Sequence, residues 1–350
     1  MLSYQVTDFG KPLARVAVET PRPKGTEVLV RVKACGVCHS DLHLADGYYD
    51  LGRGKQMTLS DRGIKLPLTL GHEVVGTVAA LGPEARGVEP GAVRLVYPWL
   101  GCGACAPCRA EEENLCVAGQ SIGVFRPGGY SDHLIVPHPK YLVDIDGIDP
   151  ALAATYACSG VTAFSALKKI GPTLPGDWVA ILGLGGVGLA AVHIAPALLG
   201  APVIGIDLEE AKLAAARAAG IRQTVNAGES DAAKRLRGLA GNRLMAVVDF
   251  VGSAASAKLA LDALTKGGRY IVVGLFGGEI TLPLVSLPLK ALTLRGSYVG
   301  SLPELKELIG LVKAGKIKPI PVASRPLEDA NAALADLRAG RIIGRQVLAP

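Results

Sequence analysis

The chain has 350 residues, 49% of them apolar (AVILMFWYC) and 19% charged, with a net charge of +6. That balance excludes a disordered chain, and scattered glycine (44) and proline (23) exclude a collagen-like or low-complexity one. At roughly 150 residues per domain, the length predicts about two domains, each able to bury a core without disulfide staples. The basic residues form no block of five, so the mild positive charge allows nucleic-acid binding without implying it and suits a small anionic ligand, such as a dinucleotide, equally well. The first nine residues lack a basic segment followed by an apolar one, which makes the cytoplasm the expected compartment. One uncharged run, 181–206, reaches membrane length. Six glycines, Pro196 and His193 within it predict a buried strand and helix instead of a membrane span.

Residues 1 to about 150 read as short strands, for example 27–34, 73–78 and 92–96, separated by Gly and Pro. That rhythm predicts an all-β, barrel-like domain with long loops. Near Pro150 the pattern changes. Strands are expected at 178–182, 203–206, 246–250 and 269–274, alternating with helices to about 199, at 209–219 and at 254–264. Alternation of this kind predicts a doubly wound parallel sheet, an α/β architecture. Two amphipathic helices, 303–314 and 327–339, and a short strand at 345–348 close the chain.

Gly183-Leu184-Gly185-Gly186-Val187-Gly188 follows the first of these strands and opens a helix, and Asp207 ends the next strand nineteen residues beyond Gly188. Gly183 permits a tight turn, Gly185 lets backbone approach a pyrophosphate, and Gly188 lets helix and strand pack closely. The helix N-terminus offers free N–H groups to the phosphates. Asp207 would accept hydrogen bonds from the adenosine ribose and repel a 2′-phosphate, which favours NAD over NADP. The competing reading is a glycine-rich turn of an unrelated α/β fold, with Asp207 as a helix cap.

Seven cysteines, an odd number, suit metal binding better than disulfides in a chain without an export signal. Cys102, Cys105, Cys108 and Cys116 form C-x2-C-x2-C-x7-C, a spacing that can cage one Zn2+ with sulfur at all four positions, hence a structural site. Reduced thiols or an iron–sulfur cluster are the alternatives. Cys35 and Cys38 form C-x-x-C, open to a redox reading or to one in which Cys38 is a metal ligand and Cys35 a core residue. His72, Glu73 and Cys158 are candidate partners of Cys38, too far apart in sequence for spacing to join them.

Taken together, Cys35-Gly36-Val37-Cys38-His39-Ser40-Asp41-Leu42-His43, Gly71-His72-Glu73, the four-cysteine loop, Cys158-Ser159-Gly160-Val161-Thr162 and the Gly183–Gly188 loop with Asp207 resemble the zinc-dependent medium-chain alcohol dehydrogenases. The likeness covers essentially the whole chain and is greatest for the NAD-dependent microbial branch, which includes tetrameric archaeal enzymes. It implies a GroES-like catalytic domain, 1–152 with 300–350, and a Rossmann domain, 153–299. It implies two zinc ions per chain and NAD: a catalytic zinc on Cys38, His72 and Cys158 with Glu73 able to approach, and a structural zinc on the four-cysteine loop. Asp41 would orient His72. Ser40 and His43 would relay the proton. His39, Thr162, Gly186, Val187, Lys212 and Arg345 would contact the cofactor. Trp99 and Phe276 would line the substrate pocket, and Leu275 both that pocket and the nicotinamide. Cys158 in place of Glu points away from the polyol branch, and a complete ligand set away from zinc-free quinone reductases. The implied activity is hydride transfer between a primary or secondary alcohol and NAD in a cytoplasmic homo-oligomer, a tetramer before a dimer, with no nucleic-acid or membrane partner. A sugar, polyol or hydroxy-acid substrate is the nearer alternative. A non-catalytic zinc protein that binds nucleic acid is the more distant one.

Overall fold

A computed structural model describes all residues from Met1 to Pro350. The chain divides into two units: Met1–Tyr48, Thr58–Val161 and Gly300–Pro350 form one, and Tyr49–Met57 with Thr162–Val299 the other. The division thus falls at Val161/Thr162, later than the 152/153 expected from sequence. The strand rhythm ends at Pro150, but the helix Pro150–Thr155 packs on the strands Val28–Gly36 and Glu73–Leu81 and stays with them. The hairpin made by Tyr48–Gly52 and Lys55–Thr58 also departs from a simple partition, since 49–57 belong to the second unit.

The first unit is the expected β-rich body. Its main sheet runs Leu142–Asp144, Val93–Val96, Glu73–Leu81, Val28–Gly36, Arg345–Ala349, Val322–Pro326, and His133–Val136 also pairs with Val28–Gly36. The strand Val28–Gly36 is the hub. Arg31 and Lys33 point to solvent between buried Val30, Val32 and Ala34, and from Ala34 onward every residue is buried. In its register Gly36 lies opposite Glu73 on one side and Val347 on the other. The C-terminal strand therefore returns to the segment that leads into Cys38.

The second unit carries a six-stranded parallel sheet in the order Gln223–Asn226, Val203–Asp207, Trp178–Leu182, Leu244–Asp249, Arg269–Val272, Thr293–Gly296. Numbered within the unit this is 3-2-1-4-5-6, the doubly wound dinucleotide-binding order. The uncharged run 181–206 resolves into the end of one strand, the helix Gly186–Leu198 and the start of the next strand. One other helical stretch, Pro150–Lys168, is long and apolar enough to cross a bilayer, and it is mostly buried inside the protein. The strand Gln223–Asn226, the helix Ala232–Leu239 and the strand Thr293–Gly296 add to the elements expected from sequence. Each lacks a continuous apolar run: Val225 is the one fully buried residue of the first, and all four residues of the last are exposed.

A buried carboxylate fixes the turn beside the Gly183 loop. Asp249 Oδ1 accepts from the backbone N–H groups of Val251 (2.8 Å) and Gly252 (3.0 Å), while Oδ2 accepts from the hydroxyls of Ser256 and Tyr270, both at 2.7 Å. Val251 in turn packs on Gly183, where a Cβ would lie 2.6 Å from its side chain. Asp249→Ala leaves three donors without an acceptor, since the Ser256 hydroxyl can still donate to the Ser253 carbonyl (3.0 Å). We expect it to lower stability by about 3–5 kcal/mol and to loosen the loop over Gly183. A denaturant titration showing less than about 1 kcal/mol of loss would refute this role.

Candidate active site

Cys38 is the residue that caps the helix His39–Asp46, directly after the Val28–Gly36 strand. Asp41 at the third helical position accepts from the Cys38 backbone N–H (2.9 Å), which fixes the turn carrying the thiol. His72 follows Gly71, whose φ of +91° only glycine adopts readily, and precedes the Glu73–Leu81 strand. Cys158 sits in a π-helical turn, Tyr156–Gly160. The Ser159 hydroxyl donates to the Thr155 carbonyl (2.7 Å), a side-chain bond that competes with regular helix pairing.

These three segments bring Cys38, His72 and Cys158 together. Their ligand atoms all lie within 4.8 Å of one another, the two sulfurs are 3.9 Å apart, and all three residues are buried. His72 Nδ1 faces Asp41 Oδ1 at 3.4 Å, short of hydrogen-bond alignment, and Nε2 is buried with no partner. An unpaired buried nitrogen costs about 1–3 kcal/mol, and a cation held between it and two sulfurs removes that cost. One imidazole and two thiolates are a donor set suited to Zn2+, and three protein ligands leave one tetrahedral position open.

The electrostatics favour a cation at this point. The Cys158 thiol donates toward Cys38 and, against the effect of burial, holds Cys38 well below the usual thiol range. Burial would depress His72, but the charges of Asp41 and Cys38 override it and hold the ring well above its usual value. Burial pushes Glu73 up to about 7 even though Arg345 opposes it. Glu73 Oε1 accepts from the Ser159 N–H (3.0 Å) and Oε2 pairs with the Arg345 guanidinium. Arg345, expected at the cofactor, is thus 4% exposed and paired with Glu73 inside the first unit. Trp99, expected as pocket lining, is also buried. Its ring lies 5.4 Å from that of His72, and its Nε1–H donates to the Ala157 carbonyl (3.1 Å) in the Cys158 turn.

Ser40 and His43 lie one turn apart on the helix His39–Asp46, both partly exposed, and His39 stacks obliquely on His43 at 5.7 Å. Burial and the neighbouring His39 push His43 below its ordinary value, and Arg338 adds to this. Asp46 and Cys38 oppose it. Arg338, from the helix Ala330–Arg338, forks onto Asp46 with bonds of 2.9 and 2.6 Å, fixing the far end of the helix His39–Asp46.

The four-cysteine loop forms a second cluster. Cys102, Cys105, Cys108 and Cys116 have sulfurs within 4.8 Å of one another, the shortest separation being 3.4 Å between Cys105 and Cys108. Backbone N–H groups of Ala104 and Cys105 pull Cys102 down to about 6, while burial and the neighbouring Cys105 push Cys108 up to about 12. Glu113 ties this lobe to the barrel. Its carboxylate accepts from Gly101 N–H (2.9 Å), Tyr141 hydroxyl (2.6 Å) and Lys140 Nζ (2.6 Å). Nothing in the charged run 109–114 distinguishes Glu113 from its neighbours in sequence; only the fold does.

In the second unit, the predicted loop has the geometry its glycines require. A Cβ on Gly188 would sit 1.7 Å from the Gly183 carbonyl oxygen, whereas Gly185 faces open space, as close approach of a ligand to the backbone demands. Gly186 and Val187 begin the helix and are half-buried. Asp207 clamps this loop: Oδ2 accepts from Leu184 N–H (2.7 Å) and Oδ1 from Glu209 N–H (3.0 Å). Each oxygen keeps a further lone pair for a ligand hydroxyl. Lys212 pairs with Glu209 at 2.6 Å, and Thr162 is buried with its hydroxyl unpartnered. Leu275 and Phe276 are exposed just beyond the strand Arg269–Val272.

Comparison with known proteins agrees with this geometry. Residues 24–147 match the alcohol dehydrogenase GroES-like domain, and residues 186–314 match the zinc-binding dehydrogenase domain. The chain is 36% identical to an NAD-dependent alcohol dehydrogenase of Sulfurisphaera tokodaii over 100% of both chains. The chain belongs to the zinc-dependent alcohol dehydrogenase family. Among solved structures it resembles an alcohol dehydrogenase from the hyperthermophilic archaeon Aeropyrum pernix, with a TM-score of 0.92 and 33% identity over 100% of both chains. It also resembles the D-arabinose dehydrogenase of Sulfolobus solfataricus, with a TM-score of 0.82 and 26% identity over 100% of this chain and 99% of that one. The first match lies mainly in the β-rich body, and the second covers the parallel-sheet unit from Gly186 onward and continues past Val299 into the other unit.

Two predictions follow the two cysteine clusters and the relay helix. Cys38→Ser and His72→Ala should each remove one bound metal and abolish turnover while circular dichroism stays that of the parent. Cys105→Ser should instead lower the unfolding temperature, because its lobe has little apolar packing to replace a metal. Equal loss of structure in both sets would show that the sites are not separate. For the relay, a protonated imidazole cannot accept a proton. Alcohol oxidation should therefore fall as the pH drops through a group titrating below the usual histidine value of about 6.5. His43→Gln should erase that limb, and an unchanged profile would remove His43 from the proton path.

Proposed function

We propose that this chain oxidises primary or secondary alcohols to aldehydes or ketones by hydride transfer to NAD, and catalyses the reverse reduction. The observation that carries this reading is the buried trio Cys38, His72 and Cys158, with an orphaned imidazole nitrogen, in a chain whose other unit holds the Gly183–Gly188 loop and Asp207. When bound, zinc supplies Lewis acidity that lowers the pKa of an alcohol or polarises a carbonyl, and NAD accepts the hydride.

The residues of the chain do the rest. Cys38, His72 and Cys158 hold the metal, and their two thiolates nearly neutralise it. Glu73, tethered between Ser159 and Arg345, supplies a carboxylate next to those ligands whose charge burial makes costly. Ser40 accepts the proton of the substrate hydroxyl and His43 passes it toward solvent, with His39 beside it. Trp99 seals the wall behind His72 against water, and in the other unit the exposed Leu275 and Phe276 are apolar surface suited to the carbon chain of a substrate or to the nicotinamide. Gly185, Gly186, Val187 and Gly188 receive the pyrophosphate on backbone N–H groups at the helix start, Gly183 makes the turn before them with its own N–H on the Ile206 carbonyl (2.8 Å), and Asp207 receives the adenosine ribose. Thr162 offers its buried hydroxyl to the cofactor. Lys212 acts next to the ribose while paired with Glu209, and Arg345 acts on the site through Glu73.

We further propose two zinc ions per chain, one in each cysteine cluster. A homo-oligomer, a tetramer by resemblance, is supported by the exposed edge strand Thr293–Gly296 and the exposed Leu284, Val285, Leu289 and Leu294 around it. Natural proteins cover such edges and patches. A cytoplasmic location suits seven unpaired cysteines. A sugar substrate is the second reading, favoured by the likeness to the D-arabinose dehydrogenase; the apolar character of Trp99, Leu275 and Phe276 favours simple alcohols over it.

Alcohol and sugar panels scored by NADH absorbance test this reading. We expect turnover with medium-sized alcohols and NAD, and a strong preference against NADP. Asp207→Ser should cut that preference by about 10- to 100-fold, the worth of a hydrogen bond to a charged group. A parent protein that reduces both cofactors equally would remove Asp207 from the ribose site, and absence of NADH with every alcohol would overturn the function.

A further inference from the structure

Asp41 carries more bonds than orienting one imidazole requires. Its Oδ2 accepts from the Cys38 backbone N–H (2.9 Å) and from the Tyr130 hydroxyl (3.0 Å), while Oδ1 faces both Gly71 N–H and His72 Nδ1 at 3.4 Å. Asp41, His72 and Tyr130 are all completely buried. Two donors on Oδ2 fix the rotation of the carboxylate, and that rotation is what turns Oδ1 toward the imidazole.

The root of Tyr130 is fastened to the segment that delivers His72. Gly128, Gly129 and Tyr130 donate their backbone N–H groups to Thr69, Gly71 and Leu70 at 2.8–2.9 Å. The surrounding residues are small where the ring passes. A Cβ on Gly71 would lie 2.5 Å from the Tyr130 ring and 2.6 Å from Cys35 Sγ, and one on Gly129 would lie 3.0 Å from the same sulfur. Cys35, a core residue here, thus fills the narrow space between these glycines. A phenylalanine would satisfy the packing equally. The hydroxyl adds one thing, its bond to Asp41.

We propose that Tyr130 is a positioning residue for the catalytic metal: its hydroxyl locks the Asp41 carboxylate, and through it the His72 ring, in the orientation that retains the ion. The proposal rests on Cys38, His72 and Cys158 being the metal ligands. Groups that orient a metal-bound histidine typically change metal affinity by about 10- to 100-fold when removed, and Tyr130, one bond further out, belongs at the low end.

Tyr130→Phe in the full-length, metal-loaded protein tests this. Release of metal to a chromophoric chelator resolves the two clusters, because Cys38→Ser identifies which phase belongs to the trio. We expect the trio to lose its metal about 10-fold faster in Tyr130→Phe, with the four-cysteine phase unchanged. Cobalt substituted at the trio should show shifted visible bands, a signature that loss of packing elsewhere would not produce. Tyr270→Phe is the control, because it deletes a similar buried bond, to Asp249, in the other unit. Its trio should release metal like the parent's. Unchanged release in Tyr130→Phe, equal acceleration of both phases, or the same acceleration in Tyr270→Phe would overturn the proposal. A parent protein with metal in the four-cysteine cluster and none at the trio would instead overturn the ligand assignment on which it rests.

Discussion

The approach of Gly36 to Glu73 is the constraint on which the grouping of Cys38, His72 and Cys158 depends. The two residues face each other across the central strands, so closely that a Cβ on Gly36 would lie 1.9 Å from Glu73 Oε2. That register sets Cys38 two residues beyond one strand end and His72 one residue before the other. The Glu73 carboxylate then reaches the Ser159 N–H in the turn that carries Cys158, and Arg345 arrives from the strand paired on the opposite side. One contact distance, available only to glycine, therefore aligns three chain segments and the residue that neutralises Glu73.

The two cysteine clusters follow opposite physical logics. The four-cysteine lobe gathers its ligands from fifteen consecutive residues, and its thiols are mostly accessible. It needs its neighbours for attachment, through Glu113, more than for assembly. The trio is assembled by sheet register and a π-helical turn, and buried so thoroughly that an imidazole nitrogen is left without a partner. A local cluster can stabilise a loop whatever the rest of the fold does. A non-local one senses every element that sets its geometry.

This difference explains what could be read from the sequence. The Gly183–Gly188 loop, Asp207 and the four-cysteine loop are local patterns whose physics is contained in their spacing. The doubly wound sheet followed from alternating apolar runs, except where an edge strand such as Thr293–Gly296 has no buried face to advertise it. The trio was visible only by resemblance, because residues 38, 72 and 158 share no periodicity. Asp249, Glu113 and Tyr130 were invisible: each is an ordinary polar residue whose importance comes from donors and acceptors that the fold supplies. Arg345 was legible as a motif position but not as the partner of Glu73.

The chain crosses between its two units at Tyr48/Tyr49, Met57/Thr58, Val161/Thr162 and Val299/Gly300. This connectivity bears on the order of events during synthesis. All six parallel strands lie between Trp178 and Gly296, so that sheet has its full complement before the strand Arg345–Ala349 is made. The β-rich body starts first yet finishes last, because the strand Arg345–Ala349 must pair with Val28–Gly36. Until then Glu73 lacks its guanidinium, and the thiols of Cys38 and Cys158 wait in an unfinished wall. A nascent chain stalled shortly before Arg345 would thus carry a complete parallel sheet and an unfinished setting for the trio Cys38, His72 and Cys158. The last strand therefore acts as a built-in delay on the reactive half of the molecule.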